Sequence, residues 1–261
     1  MNPRTPLPNS LRYHAGKWET LGTGVIVETP VTLTVNGRVW LTFMCTPTDL
    51  EALAVGFIYN EGVIKGKEEI ELVEVCPSGD NVDIWLKSAV EQPEHWRRTS
   101  GCTGGITAAA LDKVRPELKD GLILTPQMVQ TLIKSLTEEQ VLYRDVGGVH
   151  TSILSDGEHV VVTAEDIGRH NSLDKIAGRC LLDDIEMTRK ILVTTGRISS
   201  DMIQKAARIG AAIVISRTSA SSLSVALADK WGISLIGYAR HDQFIIYTHP
   251  ERIKQQTMVI A

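Results

Sequence analysis

The residues best suited to chemistry are concentrated in one stretch, Thr163-Ala-Glu-Asp-Ile-Gly-Arg-His-Asn-Ser-Leu-Asp-Lys175. It combines carboxylates, a guanidinium, an imidazole, an amide and an amine, which together could bind a polar ligand or move protons. The apolar segment 159–163 leads into it and predicts a strand. A strand that ends in a polar turn before a helix is where α/β proteins place ligands. The alternative interpretation is a capping turn followed by a charged first helical turn.

Cys102 is a second candidate, within Arg97-Arg-Thr-Ser-Gly-Cys-Thr-Gly-Gly105. Glycine-rich surroundings leave a sulfur exposed, and neighbouring arginines favour the thiolate, which is the reactive form of cysteine. An inert loop cysteine is the alternative. Cys45 and Cys180 fall at apolar positions and are predicted to be small core residues. Cys76 follows a predicted strand and precedes a proline, so its role stays open.

Three arginines, Arg197, Arg217 and Arg240, each follow a predicted strand of one α/β sheet. Because the carboxyl ends of parallel strands share an edge, we expect these side chains to converge on one rim. Guanidinium forks match phosphate oxygens, and helix starts near Ser199 and Ser221 add backbone N–H donors. The sequence therefore predicts an anionic ligand with several phosphates. The alternative is that the arginines pair with nearby carboxylates.

Several function classes are disfavoured by what the sequence lacks. There is no Gly-x-x-x-x-Gly-Lys-Ser/Thr loop, no Gly-x-Gly-x-x-Gly after a strand, and no zinc-ligand spacing of histidines and cysteines. The net charge of -4 gives no broad nucleic-acid or membrane footprint. The first residues lack the apolar core of a signal peptide, and the four cysteines form no Cys-x-x-Cys pair. We expect a soluble protein of the reducing cytoplasm without a protein-ligated metal.

Hydrophobic periodicity predicts a mixed α/β chain in three parts: residues 1–98, 99–124 and 125–261. The first part is β-rich with one helix, the second is a mobile loop and linker that carries Cys102, and the third alternates strands and helices. The predicted strands are 31–35, 39–43, 70–75, 82–86, 149–154, 158–163, 190–195, 211–216, 233–238 and, at an edge, 244–248. The predicted helices begin at Thr46-Pro47, at Thr125-Pro126, after Asn171, at Ser199 and at Ser221.

Taken together, the motifs resemble the FdhD family, the formate dehydrogenase accessory sulfurtransferases. The resemblance covers about residues 27–252 and follows one order along the chain. Its motifs are Pro47-Thr-Asp-Leu-Glu-Ala-Leu-Ala-Val-Gly-Phe57, Glu61-Gly62, the loop 100–105, Gly147-Gly-Val-His150, Glu165-Asp-Ile-Gly-Arg-His-Asn171, Asp174-Lys175, Gly196-Arg-Ile-Ser199, Ser216-Arg217 and Gly237-Tyr-Ala-Arg240.

The resemblance implies a fold similar to cytidine deaminases without their zinc site, and a cytoplasmic homodimer. It implies that sulfur is taken from a cysteine desulfurase as a persulfide on Cys102. The sulfur would pass to the molybdenum (or tungsten) bis(molybdopterin guanine dinucleotide) cofactor, bound as a substrate, for use by formate dehydrogenase. The family's carrier loop usually reads Cys-x-x-Cys, whereas this chain has Gly105 at the second position. The persulfide role therefore carries over to Cys102 alone.

The segment 238–243 matches the family's cofactor-binding segment. A carboxylate such as Asp166 could pair with a guanine edge, and His150 and His170 are candidates for proton transfer or ligand hydrogen bonds, with structural histidines as the alternative. The full set of expected cofactor-binding residues is Asp166, Arg169, His170, Arg197, Ser199, Arg217, Tyr238, Ala239, Arg240, His241, Asp242 and Gln243.

Two other functions stay open. The first is a non-enzymatic chaperone that binds and delivers the molybdenum cofactor without moving sulfur, which the absent second cysteine favours. The second is a nucleotide-processing enzyme on a deaminase-like fold, which the missing zinc ligands disfavour.

Overall fold

The computed structural model describes residues 2–92, 97–98, 106–107 and 122–254. Its helices are α1 (Leu50–Asn60), α2 (Pro126–Glu138), α3 (Val141–Val146), α4 (Arg169–Leu182), α5 (Ser200–Arg208) and α6 (Ser222–Lys230). Its strands are β1 (Arg4–His14), β2 (Lys17–Ile26), β3 (Thr29–Val35), β4 (Arg38–Cys45), β5 (Ile70–Val75), β6 (Asn81–Leu86), β7 (Arg97–Arg98), β8 (Ile106–Thr107), β9 (His150–Ser155), β10 (Val160–Asp166), β11 (Lys190–Thr194), β12 (Ala211–Ser216), β13 (Ser234–Gly237) and β14 (Ile245–Ile246).

The larger sheet has six strands in the order β10-β9-β11-β12-β13-β14. The strands β11, β12 and β13 run parallel and are joined through α5 and α6, which confirms the predicted parallel crossovers. The short strand β14 lies at the edge, as predicted. Successive buried residues of a strand face opposite sides of the sheet. On one side they pack against α4, α5 and α6, and on the other against α2.

The N-terminal sheet has four strands in the order β4-β3-β6-β5. Its inner face is apolar and packs against α1, with Val31, Leu33 and Val35 almost fully buried. Asn36 and Gly37, between β3 and β4, both have positive φ, which is the backbone geometry of a tight hairpin turn. The sequence predicted this hairpin from its Asn-Gly pair.

The two sheets are held together by the crossing of α1 and α4, which meet at two glycines. A Cβ atom on Gly56 would lie 1.7 Å from the backbone oxygen of Asp174, and one on Gly178 would lie 1.9 Å from that of Ala52. The helix backbones therefore touch at a distance that only glycine permits. The mixed α/β class with a smaller β-rich N-terminal part is confirmed, whereas the boundaries near residues 98 and 124 stay predictions.

The start of α1 differs from the prediction. Thr46-Pro47 was expected to begin the helix, but α1 begins at Leu50 and its N-cap Asp49 has a left-handed backbone. The reason is tertiary: the Thr46 N–H donates to Asp166 at 3.1 Å, and the Thr46 hydroxyl accepts from the Ile167 N–H at 3.1 Å. These bonds tie Thr46 to the end of β10 and keep it out of the helix.

The strands β1 and β2 form a two-stranded ribbon that the sequence reasoning missed. It carries exposed apolar side chains, including Tyr13 and Trp18, whose rings lie 5.1 Å apart. The ribbon reaches α3, because Arg4 forms an ion pair of 2.8 Å with Asp145.

Candidate functional site

The loops that follow β11, β12 and β13 are joined by backbone hydrogen bonds. The Arg217 N–H donates to the Thr194 carbonyl at 3.0 Å, and the Tyr238 N–H donates to the Thr218 carbonyl at 2.9 Å. The Ser216 hydroxyl adds a bond of 2.8 Å to the Gly196 carbonyl. The three loops therefore form one continuous rim at the carboxyl ends of the parallel strands, where α/β sheets bind ligands.

A cleft of about 370 Å³ opens beside this rim. Two of the three predicted arginines, Arg217 and Arg240, line it together, and both side chains belong to exposed residues. Arg197 is exposed on the loop after β11 but is not among the lining residues that the structure describes. The described residues that line it are Gln140, Tyr143, Val149, Thr195, Arg217, Thr218 and Arg240. Two guanidiniums beside the hydroxyls of two threonines suit an anionic group such as phosphate.

The segment 238–243 turns back at the mouth of the rim. Tyr238 has a left-handed backbone, with φ of 50°, and the Arg240 N–H closes the turn on the Gln243 carbonyl at 2.8 Å. The side chains of Tyr238, His241, Asp242 and Gln243 are exposed, although only Arg240 of this segment lines the cleft. Ala239 is buried, and its N–H donates to Ser216 instead of to a ligand.

Both candidate histidines lie behind the cleft wall as neutral imidazoles. Burial, with the charges of Lys205 and Arg169, lowers the pKa of His170 to about 3, and its Nε2 lies 3.5 Å from the Ser199 hydroxyl. Burial and Arg169 also lower the pKa of His150, whose Nδ1 lies 3.3 Å from the hydroxyl of the lining residue Thr195. The buried Ser199 caps α5 by accepting from the Met202 N–H. His170, Arg169 and Ser199 are thus buried and are not among the described residues that line the cleft.

Asp166 does not reach the cleft, so its suggested pairing with a guanine edge has no support in the geometry. Its carboxylate is fully buried and forms an ion pair of 2.7 Å with Lys175, which is also fully buried. It also accepts from the backbone N–H groups of Thr46 and Gly168 and from the side chain of Asn171. A carboxylate with this many donors stabilises the fold, here by joining α4 to the segment before α1.

A second buried charge cluster lies between α1, α4 and α5. The Lys205 ammonium donates to Asp174 at 2.6 Å, lies 3.5 Å from Glu61 and sits 5.3 Å from the centre of the Phe57 ring. Burial raises the pKa of Asp174 to about 6, although Lys205 and the amide of Asn60 favour its ionised form. Burial alone would lower the pKa of Lys205, but the carboxylates of Asp174 and Glu61 outweigh it and raise that pKa.

The sequence did not predict one wall of the cleft, which is formed by residues that come before the strands of the larger sheet in the chain. Gln140 and Tyr143 belong to the start of α3, and Glu165 holds this helix in place. The Glu165 carboxylate accepts from the Leu142 N–H at 2.6 Å and from the Tyr143 N–H at 3.3 Å. The sequence feature that could have indicated this wall is the pair Gly147-Gly148 just after it. Both glycines have positive φ in the structure, which marks the end of the helix.

Two of the three described cysteines, Cys45 and Cys180, are poor carriers of sulfur. Burial, with the charge of Asp166, raises the pKa of Cys45 to about 12, and burial raises the pKa of Cys180 to about 11, so both stay protonated as core residues. Cys76 is half-buried and its thiol donates to Asp80 at 3.0 Å. Cys102 and Gly105 lie outside the described residues. The flanking strands β7 and β8 pair antiparallel.

Within residues 2–92 and 122–254, no three His, Cys, Asp or Glu side chains are grouped so that they could hold a metal ion. In the same ranges no helix combines the length and the apolar character needed to cross a membrane.

Comparison with known proteins identifies the family to which this chain belongs. The model of the FdhD/NarQ family matches residues 26–254. The sulfur carrier protein FdhD of Bacillus subtilis is 34% identical over 250 residues, which are 94% of this chain and 95% of that protein. The protein of the same name from Bacillus pumilus is 36% identical over 262 residues, which are 98% of this chain and 100% of that protein.

A solved structure is similar over nearly its whole length. It is a crystal structure of a protein assigned as a formate dehydrogenase accessory protein, from Desulfotalea psychrophila. The TM-score is 0.78 at 30% sequence identity, and the match covers 96% of this chain and 98% of that one.

Proposed function

This chain belongs to the FdhD/NarQ family of sulfur carrier proteins linked to formate dehydrogenase, and we propose that it carries sulfur as a persulfide on Cys102. The sulfur donor is a cysteine desulfurase, and the acceptor is the molybdenum bis(molybdopterin guanine dinucleotide) cofactor that formate dehydrogenase uses. The observation that carries the proposal is the family match over residues 26–254, because it spans the arginine rim and the segment that contains Cys102.

The first transfer is a thiol exchange. The Cys102 thiolate attacks the outer sulfur of the desulfurase persulfide, a new S–S bond forms, and the old S–S bond breaks with its electron pair left on the desulfurase thiolate. In the second transfer the S–S bond at Cys102 breaks and its electron pair returns to Cys102. The acceptor supplies the electron pair for its own new bond to sulfur.

The cleft provides the place for the acceptor. The guanine dinucleotide ends of the cofactor carry pyrophosphate groups, and Arg217 and Arg240 line one cleft where guanidinium forks could bind them. Because the pKa values of His150 and His170 are lowered, these histidines are neutral, and the positive charge near the cleft comes from the arginines. These contacts support binding of a phosphate-bearing ligand at the rim. A cytoplasmic homodimer completes the proposal as an expectation from the family.

The rival function is a chaperone that delivers the cofactor without moving sulfur, and Gly105 at the position of the family's second cysteine favours it. Complementation separates the two. In bacteria that lack their own family member, wild-type protein should restore formate dehydrogenase activity and Cys102→Ser should not. The matched control Cys76→Ser should restore it. Activity with Cys102→Ser would favour the chaperone.

A further inference from the structure

Gln140 has an unusual position at the cleft. It is a buried residue, with 3% of its surface exposed, and it lines the cleft together with Arg217 and Arg240. Its side chain makes no capping hydrogen bond to α3. Because the residue lines the cleft and its amide is not used to cap the helix, that amide is available to hydrogen-bond a ligand.

The capping of α3 explains why this amide is available. Gln140 is the N-cap residue of α3, and an N-cap side chain usually accepts from the first N–H groups of its helix. Here Glu165 of β10 accepts from those groups, at Leu142 and Tyr143. The Thr151 hydroxyl donates to the same carboxylate at 2.9 Å and fixes its orientation. Glu165 therefore anchors α3 against β9 and β10 and leaves the Gln140 amide to the cleft.

Tyr143 follows Gln140 by one helical turn and lines the same cleft. It is 49% exposed, so its ring presents an aromatic surface at the opening. Aromatic side chains of this kind stack on planar heterocycles whatever their hydrogen-bonding pattern. The cleft thus has two chemically different walls, one with two guanidiniums and one with an amide and an aromatic ring.

We propose that Gln140 and Tyr143 recognise the base of the nucleotide whose phosphates lie at Arg217 and Arg240. A side-chain amide presents one acceptor and two donor hydrogens, so it can pair with a base edge that carries a neighbouring donor and acceptor. Tyr143 supplies stacking, Gln140 supplies the choice of base, and Glu165 is a positioning residue for both. The assignment rests on the proposed function in that it takes the ligand to be the nucleotide end of the cofactor.

Calorimetric titration with two probes, GDP and inorganic pyrophosphate, tests the assignment on the full chain. We expect Gln140→Leu and Tyr143→Ala to weaken GDP binding roughly tenfold or more and to leave pyrophosphate binding unchanged. Tyr143→Phe should keep the wild-type affinity for GDP, since stacking needs only the ring. Arg217→Ala should weaken both probes.

The role of Glu165 is tested by comparing the same two affinities, for GDP and for pyrophosphate. Glu165→Ala should weaken GDP and spare pyrophosphate, while Glu165→Gln, which keeps one acceptor oxygen, should recover part of the loss. A merely structural role would reduce both probes together. Equal effects on GDP and pyrophosphate in the Gln140 and Tyr143 variants would overturn the assignment, as would a wild-type protein that binds neither probe. Sulfur uptake by Cys102, measured separately, tells such a failure apart from a failure of the proposed function.

Discussion

At the scale of single residues, the buried charges of this protein are structural. Lys205 joins Asp174 on α4 to Glu61 at the end of α1, and its own side chain is only 5% exposed. Lys175 forms an ion pair with Asp166, and both of these side chains are fully buried. Removing one partner of a buried pair leaves the other charge without compensation, which costs more than the pair itself contributes. Both clusters should therefore matter for folding.

Lys205→Met gives the clearest test of this claim. The variant should lose about 3 kcal/mol or more of unfolding free energy, because two carboxylates then remain in the core without their cation. Urea unfolding measures the loss. Lys134→Met is the matched control, since the Lys134 side chain is 74% exposed and, within the described part of the chain, pairs with Glu138 alone; it should change stability by about 0.5 kcal/mol or less. Similar losses in both variants would contradict the structural role of Lys205.

His170 should make stability depend on pH. Its pKa is about 3 in the folded protein and near 6.5 in the unfolded chain, so the unfolded chain binds the extra proton first as the pH falls. The stability from His170 is therefore complete above about pH 6.5 and decreases below it. Between pH 7 and pH 5 the loss should reach about 2 kcal/mol.

The comparison with His170→Asn isolates this contribution, because Asp174 titrates in the same range with the opposite sign. Its raised pKa of about 6 makes the folded protein gain stability as the pH falls through that value. Urea unfolding at pH 7 and pH 5 should show a pH-dependent loss about 2 kcal/mol larger in the wild type than in His170→Asn. Equal losses would mean that His170 does not stay neutral in the folded protein.

At the scale of elements, the crossing of α1 and α4 depends on Gly178. A Cβ atom there would meet the Ala52 carbonyl at 1.9 Å, so Gly178→Ala must push the helices apart. We expect a loss of about 2 kcal/mol or more, measured as a lower urea midpoint. Gly22→Ala is the control, because a Cβ on Gly22 meets nothing within 4 Å and its φ is not positive. A neutral Gly178→Ala would refute the close approach.

Elements with local signals were predictable, and elements that depend on distant contacts were not. Thr125 followed by Pro126 predicted the start of α2, and the Thr125 side chain does accept from the Met128 N–H. By contrast, Thr46-Pro47 carried the same signal but is held by Asp166, a residue far along the chain. The helix α3 has no buried residue and depends on Glu165, so no apolar stripe could reveal it.

The candidate site was also predictable where the signal is local and not where it depends on distant contacts. Strand ends after an α/β pattern located Arg217 and Arg240 at one cleft, because parallel strands impose that convergence. The pattern could not show that Asp166 and Arg169 would be buried, and for Asp166 one reason is a bond from Thr46, far away in the sequence. Nor could it show Gln140 or Tyr143, whose position at the cleft follows from the pairing of Glu165 with α3.

At the scale of the whole molecule, the N-terminal part is attached to the sheet that carries the cleft. Thr46 bonds to the end of β10, α1 crosses α4, and Arg4 of the ribbon pairs with Asp145 on α3. These contacts place the first part of the chain against the elements that build the cleft wall.

The central claim is that Cys102 carries sulfur, and intact-protein mass spectrometry tests it most directly. Wild-type protein, Cys102→Ser and Cys76→Ser are each incubated with a cysteine desulfurase and L-cysteine. The account predicts that wild type and Cys76→Ser gain the mass of at least one sulfur atom, which a reductant removes, and that Cys102→Ser gains none. No gain in wild type, or an equal gain in wild type and Cys102→Ser, would contradict it.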